Sequence, residues 1–132
     1  MVQIAIIGGG IGGLTTAIAL RQFGFEPEVF EQAPALLDVG AAIALWPNAT
    51  CVLSHLGLAD QILELAGEMD EVCWMNRTGG LINRVKLKEA SQTVSPAIAL
   101  HRADLQSTLL NAVPSDSIHL AHSLISVEQS GN

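Results

Sequence analysis

Residues 2–13 read VQIAIIGGGIGG, and this stretch decides the fold. VQIAII is a mostly apolar, β-branched run that stops at glycine, the pattern of a strand covered on both faces in a parallel sheet. The chain goes on as LTTAIALRQFGF, with Leu14, Ile18 and Leu20 near helical spacing and Gly24 as the stop. Residues 27–31, PEVFE, read as a second strand. Strand, glycine turn, helix and strand make one βαβ unit of about 30 residues.

Gly8, Gly10 and Gly13 spell G-x-G-x-x-G at the strand-to-helix turn. Gly8 permits the tight turn, Gly10 lets a diphosphate approach the backbone, and Gly13 lets the helix pack close to the strand. Ile11 and Gly12 lie between them, where the free N–H groups and positive end of a helix meet anionic oxygen. Glu31 closes the second strand 18 residues after Gly13, with Gln32 beside it. A carboxylate there accepts hydrogen bonds from ribose hydroxyls and repels a 2′-phosphate, which disfavours NADP at this site. No Lys-Ser or Lys-Thr follows the glycines, so an ATP-type phosphate loop is excluded. The pattern predicts an α/β, Rossmann-type FAD/NAD(P)-binding domain. The motif alone does not separate FAD from NAD, since both carry ADP. The plainer alternative is a glycine turn without a ligand and a surface acid.

Outward from this unit, residues 33–46 read as an extended loop with a short strand. Pro47 suits the first turn of a helix running to Leu56 and broken by Gly57. A further helix is predicted over 59–66. Residues 71–75 and 81–87 flank Gly79-Gly80 and read as an inserted β-hairpin. Residues 88–97 are polar and loop-like. A helix over 102–113, with Leu105, Leu109 and Leu110 on one side, stops before Pro114. The last strand is placed at 117–121, with a second candidate at 124–128 and a turn at Ser130-Gly131-Asn132.

A length of 132 residues fits one domain spanning 1–132, with flanking helices on a parallel sheet. Six basic against 13 acidic residues, a net charge of −7, speak against a nucleic-acid surface and against docking on anionic membranes. Cys51 and Cys73 form no C-x-x-C pair and read as small buried hydrophobes in a reduced, cytoplasmic protein. His119 and His122, three apart on a strand and its edge, point to opposite faces and make no metal site. Asp60, Glu64, Glu68, Asp70 and Glu71 read as a solvated acidic stretch. No G-x-S-x-G occurs and the chain has no tyrosine, so no catalytic residue is named.

Three segments together resemble the FAD-dependent monooxygenases of the aromatic-ring hydroxylase type, the salicylate- and urate-hydroxylase-like enzymes. They are GGGIGGLTTAIALRQFG leading to VFEQAP, then VGAAIALWPNATCVLSHLGL over 39–58, then LHRADLQSTLL over 100–110. The resemblance implies FAD as cofactor, NAD(P)H as reductant and hydroxylation of an aromatic ring. It places the diphosphate on Gly8 to Gly13 and the adenosine ribose on Glu31. Arg102 would lie along the ribityl-diphosphate region, Leu124 would meet adenine through its backbone, and Trp46 to Ala49 would flank the flavin and substrate side. Members of the family are much longer, with a Gly-Asp motif and a substrate domain that this sequence lacks. Many carry a basic residue just before the Val-Gly pair, where this chain has Asp38. A carboxylate beside two phosphates weakens binding. The expectation is therefore an incomplete FAD-binding domain with little hydroxylation by itself. It would pair with itself or with a substrate-domain partner. A stand-alone FAD- or nucleotide-binding module and an NAD-binding domain of a dehydrogenase stay open as alternatives.

Overall fold

The structure is a computed structural model and describes residues 4–36, 41–90 and 95–129. In chain order the elements are β1 (Ala5–Ile7), α1 (Ile11–Gln22), β2 (Glu28–Phe30), β3 (Ala42–Leu45), α2 (Pro47–His55), α3 (Ala59–Leu65), β4 (Gly67–Glu68), β5 (Glu71–Met75), β6 (Leu81–Lys86), α4 (Leu87–Ala90), β7 (Ile98–His101), α5 (Arg102–Asn111) and, after a 3-10 turn, β8 (Ile118–His119). They fall into two compact units, Met1–Val39 with Leu105–Asn132, and Gly40–Asp104.

The first unit holds a parallel sheet in the order β1-β2-β8. Helix α1 packs on β1 and β2. Its end is set by Gly24 at φ +82°: the Gly24 amide donates to Arg21 O at 3.0 Å and the Phe25 amide to Leu20 O at 3.2 Å. This paired arrangement satisfies the last helical carbonyls and needs a left-handed residue. Leu14, Ala17, Val29, Leu105 and Leu109 form the core of the unit. Leu109 is fully buried, so Leu109→Ala should lower unfolding stability by about 3 kcal/mol in urea titration. Phe23→Ser, at an 80% exposed position, should stay within about 0.5 kcal/mol.

In the second unit β7 is the centre of an antiparallel sheet, β3-β7-β4, with Ala42 opposite His101 and Leu45 opposite Ile98. Ile98 and Leu100 are buried, as are Leu53 of α2, Leu58 just before α3 and Ile62 of α3. Pro47 begins α2 as predicted. The Thr50 hydroxyl, buried in that helix, donates to Pro96 O at 2.8 Å. The predicted hairpin forms from β5 and β6, with a bulge at Trp74/Met75. Asn76 closes its loop, its Oδ1 accepting from the Gly80 amide at 2.7 Å and the Thr78 amide at 3.0 Å.

Several expectations are corrected. Among the described residues β1 lies at the edge of its sheet, and Ile7, at 53% exposure, is not covered. Strand β7 was not foreseen, because three apolar residues and a histidine before a helix carry no period of their own. Leu87, expected to end the strand, and 88–90, expected as loop, form a short helix instead; Leu87 is buried and its amide donates to Asp70 O at 2.8 Å. The last strand is only Ile118–His119, and 124–128 forms none. Neither cysteine is buried; both are intermediate. The expected turn at Ser130-Gly131-Asn132 lies outside the described residues.

Candidate functional site

The glycine turn is built by β1 entering α1 and is pinned to the end of β2. Gly8 sits at φ +106°, a conformation that favours glycine, and its amide donates to Phe30 O at 2.8 Å. A Cβ on Gly13 would collide with the Gly8 carbonyl oxygen, so helix and turn are in backbone contact there. Around Gly10 and Gly12 the opposite holds: a Cβ at either would meet no heavy atom within 4 Å. Gly10 caps α1 with extended backbone, no side chain caps the helix, and its first turn carries no acid. The first amides of a helix have no intrahelical acceptor, so this end is a ready anion site.

Glu31 lies at the C-terminal end of β2, as the sequence reading has it, and does more than that reading foresaw. Its Oε2 accepts the Gly9 amide at 2.7 Å and its Oε1 the Ala33 amide at 2.8 Å. These bonds from Ala33 and Gly9 outweigh desolvation and hold the carboxyl below the usual carboxylate range. Each carboxylate oxygen has a second lone pair, so hydroxyl donors can still be accepted. The backbone of Glu31 is fixed by the returning chain: its amide donates to His119 O at 2.9 Å and its carbonyl accepts from His122 N at 2.9 Å.

The structure brings Gly8, Gly10, Ile11, Gly12, Gly13 and Glu31 together. Gln32 follows Glu31 and is exposed. Arg102 begins α5 and groups with the second unit. Leu124 lies outside any strand, 53% exposed. Trp46 is 45% exposed at the start of α2. Asp38, expected beside the phosphates, lies outside the described residues. Three contributors were missed. Gly9 and Ala33 donate the amides that Glu31 accepts, and Gln106 Nε2 donates to Gly9 O at 3.4 Å. The run of three consecutive glycines was a visible signal for Gly9, its middle member, whereas nothing local marked Gln106.

The expected opposite orientation of His119 and His122 is overturned. After β8 the chain reverses through Ala121 at φ +56°, so His119 and His122 come to the same side, ring centres 5.8 Å apart. His119 stacks on Phe30 at 4.7 Å, its neighbour across the strands, and its Nε2 lies 3.2 Å from Glu28 Oε2. Among the described residues no group of three His, Cys, Asp or Glu side chains could hold a metal ion. Asp60, Glu64, Glu68, Asp70 and Glu71 are all exposed. No helix among the described residues is long and apolar enough to cross a membrane.

The parallel sheet, the glycine turn and the acid at the end of β2 define a Rossmann-type dinucleotide-binding domain, and residues 6–47 match the model of the NAD(P)-binding Rossmann-like domain. More particularly, the chain matches the N-terminal part of flavin-dependent aromatic monooxygenases. It is 33% identical over 128 residues to an FAD-dependent urate hydroxylase of Mycolicibacterium vanbaalenii, covering 96% of this chain and 32% of that protein. It is 35% identical to a 3-amino-4-hydroxybenzoate 2-monooxygenase of Streptomyces cremeus, covering 97% and 33%. Among solved structures, Klebsiella pneumoniae HpxO complexed with FAD and uric acid superposes with a TM-score of 0.76 at 32% identity, covering 90% of this chain and 30% of that one. The chain thus spans about a third of the length of the curated relatives it matches.

Proposed function

We propose that residues 1–132 are the FAD-binding part of a flavin-dependent monooxygenase and grip the ADP moiety of the cofactor. The observation that carries this is the turn itself. Gly10 and Gly12 border open space at an uncapped helix end, and a carboxylate held in its ionised form stands at the close of β2. The amides of Gly10, Ile11, Gly12 and Gly13 would take the diphosphate, and the spare lone pairs of Glu31 would take the ribose hydroxyls. Gln32, Arg102 and Leu124 enter as cofactor contacts on the resemblance alone. Bound FAD would supply oxygen chemistry driven by NAD(P)H, while these residues bind and orient its adenine end. Ring hydroxylation as the activity of the whole enzyme, and an aromatic compound as its substrate, belong to the same proposal, as does a cytoplasmic setting.

Calorimetric titration tests it. FAD and ADP should bind with similar affinity, because this part holds only their common half. NADP should bind at least about tenfold more weakly, because a 2′-phosphate meets the Glu31 carboxylate. Equal affinity for NADP and ADP, or no binding of either ADP or FAD, overturns the reading. Preference for NAD over FAD would instead favour the second reading, a dehydrogenase domain, which the NAD(P)-binding family match supports.

Trp74, Met75, Leu81 and Ile82 expose apolar surface on the hairpin. Such surface favours self-association or cover by a substrate domain. Light scattering should show a dimer or larger species, and a monomer at high concentration would contradict self-association.

A further inference from the structure

Gly9 is buried in the middle of the glycine turn, and both its polar groups are taken. Its amide donates to Glu31 Oε2 at 2.7 Å, and its carbonyl accepts from Gln106 Nε2 at 3.4 Å. A peptide unit is planar and trans, so the Gly9 carbonyl and the Gly10 amide share one plane and point in opposite directions. Whatever fixes the carbonyl therefore aims the amide. Gln106 is half-buried on α5, next to the fully packed Leu105, so the helix holds its stem in place. On the other side, a Cβ on Gly9 would come within 3.1 Å of Glu31 Cβ and 3.3 Å of Leu36 Cδ2, which leaves this residue no room to shift that way.

We propose that Gln106 is a positioning residue for the diphosphate: by holding the Gly9 carbonyl it sets the direction of the Gly10 amide before ligand arrives. Glu31 and Gln106 form a clamp on one peptide segment, one from the end of β2 and the other from α5. The inference rests on the diphosphate reading of the turn and adds a residue that touches no part of the ligand. A pre-aimed donor spares the ordering cost that a mobile turn would add on binding.

The test uses Gln106→Met, which keeps length and helix propensity but has no N–H, and Gln106→Glu, which sets a carboxylate against the Gly9 carbonyl. ADP affinity measured by calorimetry should fall about 3- to 10-fold in Gln106→Met, the worth of one hydrogen bond, and further in Gln106→Glu. Adenosine, which has no phosphate, should lose less than about twofold. A merely structural role would weaken both ligands alike. Independently, amide NMR relaxation of the ligand-free Gln106→Met protein should show lower order at Gly9 and Gly10, with Leu14 to Ile18 unchanged. Unchanged order at those two amides, or equal losses for ADP and adenosine, overturns the proposal. Failure of the unmutated chain to bind ADP would count against the nucleotide reading, and the relaxation result would still decide whether Gln106 holds the turn.

Discussion

Gly13→Ala is expected to disrupt both the fold of the first unit and its ligand site. A Cβ at this position collides with the Gly8 carbonyl oxygen, which is backbone and has no rotamer to escape into. Relief requires α1 to lift from the turn, which strips Leu14 and Ala17, both fully buried, of part of their packing. Overpacking of this kind costs about 3 kcal/mol, which lowers the melting temperature of a domain this size by about 10 °C. Displacing the helix end also moves its amides off the diphosphate, and a loss of about 2 kcal/mol there weakens ADP roughly 30-fold. Gly10→Ala separates the two effects. Gly10 has φ −78°, open to any residue, and its Cβ would meet nothing within 4 Å. Its melting temperature should match the unmutated protein or rise slightly, while ADP affinity falls because the methyl group occupies ligand space. Thermal melts and ADP titrations of the pair give the comparison. Equal melting temperatures for the two variants would contradict the close approach at Gly13.

Glu31→Ala should have the second largest effect. It removes the acceptor of two backbone amides, Gly9 and Ala33, and leaves the buried Gly9 amide without a partner. Hydrogen bonds to a charged acceptor are worth about 1.5–3 kcal/mol each, and partial exposure at Ala33 reduces the second, so a loss of about 3 kcal/mol is expected. Glu31→Gln keeps one acceptor and should lose about half as much. The pH dependence has a definite sign. The folded-state pKa of Glu31 lies below its ordinary value of 4.5. Its contribution is therefore complete above about pH 4.5 and is lost as pH falls from there through the lower folded-state value. Urea midpoints taken at neutral and at acid pH should show the gap between the unmutated chain and Glu31→Gln closing on the acid side. A gap that stays constant or widens in acid would show that the carboxylate does not carry these bonds as an anion.

The sequence by itself determined the βαβ opening, the Gly8–Gly13 turn, the acid at the end of β2, the Pro47 helix start and the hairpin around Gly79-Gly80. All of these rest on short-range physics: backbone freedom at glycine, a fixed φ at proline, and apolar periodicity within one element. Only the tertiary structure decided that β7 is the middle of a second sheet, that the chain reverses at Ala121 to bring His119 and His122 together, and that Ile7 of β1 is exposed. It also decided the clamp on Gly9, whose two halves come from residues 22 and 97 positions away in the chain. Pairings at such separations depend on how finished elements stack, and no local pattern of side chains encodes which glutamine will reach which carbonyl.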